Sequence, residues 1–248
     1  MIGSIHCMWL PFRKRRRRSR LDGYARYIRW TVRLGLVLIA LDLFYLIHIW
    51  PDWQQFKQGP IAKSRFIQGY ETRRQENRSL PPLRWQPVPL SRIPQQLQRA
   101  VIVAEDARFY THNGIDLIAF REAMDYNLQR GKMKYGASTL SQQTVKNMYF
   151  SASRNPLRKW HELIVTLGME FKVSKRRILE TYLNIAEFGK GVYGVEAAAQ
   201  YYWGRNVGNL NRWQAAQLAA TLPSPVKHNP ATRTKLFLQR AERIYRRM

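Results

Sequence analysis

Three stretches of this chain set titratable and amide side chains where they could act on a sugar hydroxyl and on a charged leaving group. The first, Glu105-Asp106-Ala107-Arg108-Phe109-Tyr110-Thr111-His112-Asn113-Gly114, puts two adjacent carboxylates at the end of an apolar helical pattern, just before an Asn-Gly turn. A carboxylate at the lip of a core is partly desolvated, which raises its pKa toward the range useful for a general base. A solvated helix end would carry the same residues. The second stretch, Gly136 to Asn147, packs Ser138, Thr139, Ser141, Gln142 and Gln143 around an expected helix start. Free N–H groups there bind anions and the amides suit sugar hydroxyls, although an ordinary capped helix has the same composition. The third, Arg154-Asn155-Pro156-Leu157-Arg158-Lys159-Trp160-His161-Glu162, spaces Arg158 and Glu162 four apart on one helix face. By itself that is also the pattern of a surface ion pair.

Helices must hold these groups. Ile93, Leu97, Ala100, Val101 and Ala104 fall at helical spacing, with Pro94 in the first turn. A second helix is expected from an Asp116 cap to a stop at Gly131, and a third from a Ser138 cap through Met148. Leu157–Lys172 and Ser174–Phe188 follow, then the Ala-rich stretches Val195–Tyr202 and Trp213–Leu222. A final amphipathic helix carries Leu236, Ala241 and Ile244 among basic residues. The expected fold is mainly α, with any β confined to a short hairpin.

Ahead of these helices the chain is of a different kind. Leu34 to Trp50 is apolar except for Asp42 and His48, close to the lower limit for a membrane span, and Tyr27–Val32 can extend it. Trp30 at one end and Trp50 with Trp53 at the other suit interfacial belts. The run Arg13-Lys14-Arg15-Arg16-Arg17-Arg18 precedes it, so the N-terminus is expected in the cytoplasm and everything from Pro51 outside. A cleavable signal has a similar pattern, but no small-residue cleavage site follows the apolar run. The expected organisation is a basic N-terminus over 1–29, a transmembrane helix over 30–50, a Pro-punctuated linker over 51–90 and a catalytic domain over 91–248. The 42 Lys and Arg against 16 Asp and Glu give a formal charge of +26, which calls for an anionic partner. A domain facing away from the cytoplasm does not meet nucleic acid, so anionic lipid or a phosphorylated substrate is expected instead. Apolar residues at 45% exclude a disordered basic tail, and the one cysteine, Cys7, excludes an intramolecular disulfide.

Taken together and in order, the three stretches resemble the motifs of the peptidoglycan glycosyltransferases, the family 51 transglycosylases. Glu105, Asp106, Phe109, His112 and Gly114 match E-D-x-x-F-x-x-H-x-G. Gly136 to Asn147 is similar to G-G-S-T-x-x-Q-Q-x-x-K-N, with Ala137 in place of the second glycine, and Arg158, Lys159 and Glu162 match R-K-x-x-E. Ile178-Leu179-Glu180-Thr181-Tyr182-Leu183-Asn184, followed by Gly189, Gly191 and Gly194, resembles a fourth motif.

The resemblance implies a lysozyme-like catalytic domain that polymerises glycan strands from lipid II, with inversion and release of polyprenyl pyrophosphate. It implies Glu105 and Glu162 as catalytic carboxylates, Glu105 being the general base. Asp106, Ser138, Gln142, Gln143, Lys146, Arg154, Arg158 and Lys159 would contact substrate, and a divalent cation, Mg or Mn, would accompany the pyrophosphate. Leu117, Ile118, Phe120 and Met124, with Lys132 and Lys134, would form a membrane-dipping part, unless they belong to a plain core helix. The location expected is the bacterial inner membrane, with the polyprenyl-linked strand, the bilayer and a transpeptidase or divisome protein as partners. Two alternatives stay open: a lytic or hydrolytic muramidase, and a non-enzymatic basic membrane scaffold.

Overall fold

The computed structural model describes residues 20–131, 136–151 and 155–248. It divides into two units, Met1–Ile49 and Trp50–Met248. The first holds helix α1, Arg20–His48. Most of its apolar residues are exposed, and among the described residues it begins the one helical stretch long and apolar enough to cross a membrane. The helix starts ten residues before the expected span, because Arg20 to Arg29 carry no Pro and only Gly23 to interrupt them.

The second unit is mainly α. Helices α2 (Trp53–Gln58) and α3 (Arg65–Glu76) precede strand β1 (Arg84–Trp85). Then come α4 (Gln95–Glu105), α5 (Leu117–Arg130), α6 (Leu140–Tyr149), α7 (Pro156–Lys172) and α8 (Lys175–Ile185). Strands β2 (Glu187–Gly189) and β3 (Val192–Tyr193) lead into α9 (Val195–Trp203), α10 (Arg212–Thr221) and α11 (Lys235–Arg247). Ala215, Ala216, Ala219 and Ala220 let α10 lie close between α4 and α11, against Leu97, Val101 and Phe237. A second layer packs α6 on α7 and α8 through Leu140, Val145, Val165, Met169, Ile178 and Leu179.

The segment 51–90, expected as a linker, is built into the fold. Asp52 caps α2 by accepting from the backbone N–H groups of Gln54 and Gln55, at 2.9 and 3.1 Å, and Ser64 caps α3. Ile67 and Tyr70 are buried with Ile185 and Tyr193. Arg177 donates to the carbonyls of Phe56 and Gly59, and Glu180 accepts from Leu90 N–H at 2.8 Å. Asn184 closes the join, accepting from Val88 N–H at 2.7 Å and donating to Val88 O at 2.9 Å. The prolines lie between these short elements, so a reading by Pro content marked the boundaries and missed what they enclose.

Three further expectations are corrected. The cap of α6 is Thr139, paired with Gln142 in a capping box, so Ser138 stands one residue outside. Helix α8 ends at Ile185 and Phe188 is in β2, because Ala186 turns extended and Gly194 N–H bonds its carbonyl at 2.8 Å. The hairpin β2–β3 gains a third strand, β1, parallel to β3. Helix α5 begins at its Asp116 cap and ends at a left-handed Gly131, as expected, yet has no buried residue; it is not a core helix.

One buried constellation fixes the turn after α4. Gly114 N–H donates to His112 Nδ1 at 3.1 Å, so the ring proton sits on Nε2 and points to Asp106 Oδ1 and Oδ2, each 3.0 Å away. Asp106 Oδ2 also accepts from Leu140 N–H at 3.0 Å, and Thr139 Oγ1 donates to Gly114 O at 2.7 Å. These bonds tie the end of α4 to the start of α6. Asp106→Ala, which leaves the Leu140 N–H and the imidazole buried without an acceptor, is expected to cost about 2–3 kcal/mol. A shift of the denaturant midpoint at unchanged slope checks it.

Candidate active site

Glu105, the last residue of α4, stands at the floor of an open cleft of about 550 Å³. Its Oε2 accepts from Gln143 Nε2 at 2.9 Å, and Gln143 Oε1 in turn accepts from the Tyr182 hydroxyl at 3.1 Å. That chain orients the carboxyl from α6 and α8. Solvent reaches the side chain through the cleft mouth, while protein crowds the carboxyl from the other sides. Burial pushes its pKa up from the ordinary carboxylate value; Gln143, Arg240 and Lys146 temper the rise, and the neighbouring Asp106 adds to it.

Lys146 follows Gln143 by three residues on α6 and therefore shares its face. Burial lowers its pKa below the usual lysine value; Glu162 and Glu105 favour its charge, while Lys159 and Arg158 oppose it. Lys146 thus lies within the electrostatic reach of both carboxylates. Among the described residues its ammonium has no hydrogen-bond partner, which leaves its donors available to an anion. Glu162 is 2% exposed and held on both oxygens, by Arg158 Nη1 at 2.8 Å and Lys159 Nζ at 2.7 Å. Lys159 also reaches Ser138 Oγ at 3.4 Å. The helix face read from the Arg158/Glu162 spacing is therefore an inward-facing ion cluster and not a solvated pair.

The expected substrate contacts separate into two sets. Gln143, Lys146, Arg158, Lys159 and, at the exposed rim, Ser138 gather with Glu105 and Glu162. Asp106 and Gln142 are instead engaged within the protein. Asp106 spends its oxygens on His112 and Leu140, and Gln142 Oε1 accepts from Thr139 N–H at 3.1 Å inside the capping box. Both are buried because they hold the backbone that carries their neighbours. Arg154 lies outside the described residues, as do Lys132 and Lys134.

The sequence reading missed the opposite wall. Arg240, Arg243 and Arg247 of α11 line the cleft with Glu105, together with Leu236 and Ile244. Their spacing of three and four puts them on one helix face, a signal present in the sequence but masked there by the other basic residues of the same helix.

Among the described residues no group of three or more His, Cys, Asp or Glu side chains could hold an ion. Glu162 already carries a cation on each oxygen, and both His112 nitrogens are engaged.

Residues 74–248 match the transglycosylase family. The match begins inside α3, so part of the segment expected as linker belongs to the family domain. The chain is 37% identical over 221 residues to the biosynthetic peptidoglycan transglycosylase of Laribacter hongkongensis, covering 89% of this chain and 97% of that protein. Over 224 residues it is 39% identical to the protein of the same name from Nitrosospira multiformis, covering 89% and 96%. Against that of Burkholderia thailandensis it is 40% identical over 236 residues, covering 93% and 89%. A match across most of the chain, with a carboxyl set in a cationic cleft at its motif positions, leads to one conclusion: this chain belongs to the transglycosylase family.

Proposed function

We propose that the protein is a peptidoglycan glycosyltransferase that lengthens glycan strands from lipid II. The family is that of the biosynthetic peptidoglycan transglycosylases, and its catalytic domain is lysozyme-like. The observation that carries the reading is the Glu105 carboxyl, oriented by Gln143 within a cleft that Arg240 also lines. The donor is the growing strand on polyprenyl pyrophosphate; the acceptor is lipid II, whose GlcNAc 4-hydroxyl attacks the donor's anomeric carbon with inversion. Glu105 takes the hydroxyl proton as the new bond forms, and the pyrophosphate departs with the electron pair of the old one. A pyrophosphate needs no strong acid to leave, but its charge must be met. Lys146, Arg158 and Lys159 supply cations, Arg154 joins them on the strength of the motif, and Glu162 keeps Arg158 and Lys159 aimed inward. A divalent cation would accompany the pyrophosphate, brought in with the substrate, and would help neutralise its charge.

The anchor suits the substrates. Both have lipid tails in the bilayer, and α1 holds the enzyme at the same surface, with the catalytic unit on the periplasmic side of the inner membrane. Leu117, Ile118, Phe120 and Met124 of α5 are all exposed, which fits a helix dipping among lipid tails. A transpeptidase or divisome partner remains an expectation of the family reading.

A muramidase also uses a glutamate, but it has no pyrophosphate leaving group to neutralise. The cations Lys146, Arg158 and Lys159 therefore favour transfer over cleavage. A scaffold would need neither.

Three outcomes test this. Glu105→Gln is expected to lower polymer formation from lipid II by about 10²–10⁴-fold while circular dichroism and membrane insertion stay unchanged; an unaltered rate overturns the base assignment. The rate should trace a bell against pH. Its acid limb, where Glu105 becomes protonated, should lie above the ordinary glutamate value, and its alkaline limb, where Lys146 loses its proton, below the ordinary lysine value. In Gln143→Ala the acid limb should move to higher pH, because a bond favouring the ionised carboxyl is gone.

A further inference from the structure

Helix α7 carries a polar line along one face, Glu162, Thr166 and Glu170, each four residues after the last. The first of these belongs to the proposed pyrophosphate clamp and the last does not. Glu170 stands about 12 Å beyond Glu162 at the helical rise and lines no part of the Glu105 cleft. Its side chain is 5% exposed. A carboxylate so withdrawn from water is costly to keep, and apolar groups in place of a buried ion pair are often neutral or better for stability. What directed bonds add to apolar packing is a fixed orientation.

The neighbours of Glu170 lie on the elements that carry the site. Its Oε1 accepts from the Ser141 hydroxyl of α6 and, at 2.7 Å, from Nζ of Lys175, the first residue of α8. Ser141 is fully buried and precedes Gln143 by two residues and Lys146 by five. Lys175 Nζ also lies 4.6 Å over the ring of the buried Phe109, in the turn after α4, and α8 brings Tyr182 to Gln143. Gly114 closes the enclosure: its φ is +90°, and a Cβ there would stand 3.1 Å from both Glu170 Cγ and Thr166 Cγ2. At the other end of the line, Thr166 Oγ1 donates to Glu162 O at 2.6 Å, and Glu162 holds Arg158 and Lys159. Glu170 is thus the point where α6, α8 and the turn after α4 all meet α7.

We propose that Glu170 is a positioning residue for the clamp: by holding Ser141 and Lys175 it fixes the roll of α7 against α6, and so the distance from Arg158, Lys159 and Glu162 to Lys146. The proposal rests on the glycosyltransferase reading, in which those groups meet the departing pyrophosphate. Without Glu170, α6 and α7 would be left with contacts such as those of Leu140, Val145, Val165 and Met169, which are apolar and carry no direction. Lys146 reports the change. Burial is the largest influence on its charge; Lys159 and Arg158 add to that influence, while Glu162 and Glu105 oppose it. When α7 shifts away, water enters and two cations retreat, which outweighs the loss of Glu162 and raises the Lys146 pKa.

The test follows polymer formation from saturating lipid II by the full chain in detergent, across pH. Glu170→Ala should lower kcat at least about tenfold, because small displacements of groups that act at the transition state are costly. Its alkaline limb should move to higher pH while the acid limb, set by Glu105, stays. Glu170→Gln keeps a carbonyl oxygen for both donors and should restore most of the rate, with the alkaline limb back in place. Ser141→Ala should reproduce the limb shift, and adding it to Glu170→Ala should cost nothing more, since both cut one link. Circular dichroism admits only folded variants, and Ser141→Ala carries the test should Glu170→Ala not fold. An alkaline limb that stays put in the folded alanine variants, or a Gln variant as slow as the Ala one, overturns the positioning role. If the unmodified chain makes no polymer at all, it is the glycosyltransferase reading that fails.

Discussion

The arrangement turns on holding the Glu105 carboxyl between two opposed influences. Removed from water on most sides, it is driven toward the neutral form, while Gln143, Arg240 and Lys146 draw it back toward the ionised one. A base must be neither so stabilised that it refuses a proton nor so destabilised that it is never ionised. Three elements maintain that balance, because α6 brings Gln143 and Lys146, α8 brings Tyr182 and α11 brings Arg240.

Adjacent carboxylates at the end of α4 have opposite fates for a geometric reason. Glu105 is in the last helical position and faces the cleft, whereas Asp106, where the backbone leaves the helix, turns inward to the α6 N-terminus and His112. The first stays available because the second is consumed. The same division recurs between Gln142, spent on its own capping box, and Gln143, spent on Glu105. Structural and chemical residues thus alternate within the motifs, so each motif specifies its own scaffold.

Charge is handled by sorting. Buried or half-buried cations meet carboxylates at Glu162, Glu170 and Glu180, where Arg158, Lys159, Lys175 and Arg177 are paired within 2.8 Å. The α11 arginines instead line the Glu105 cleft, with Arg240 also donating to Ala220 O, and project positive potential into it. A formal charge of +26 therefore does separate jobs, fastening helices in one place and attracting anions in another.

Several features were settled by the amino-acid order alone. The apolar run of α1, the Asp116 cap and Gly131 stop of α5, and the four motifs depend on neighbours a few residues apart, and local spacing carries that information. Glu105, Lys146, Arg158 and Glu162 could be named because they stand at the positions where those motifs resemble the family's. Only the tertiary structure decided that residues 51–90 are part of the fold, since Asn184 and Arg177 reach them across about a hundred positions. It alone turned Asp106 to the Leu140 N–H, because side-chain direction depends on what lies opposite, and it alone set α11 across from Glu105. Those contacts join residues more than thirty positions apart, and no local pattern specifies which distant surface a helix face will meet.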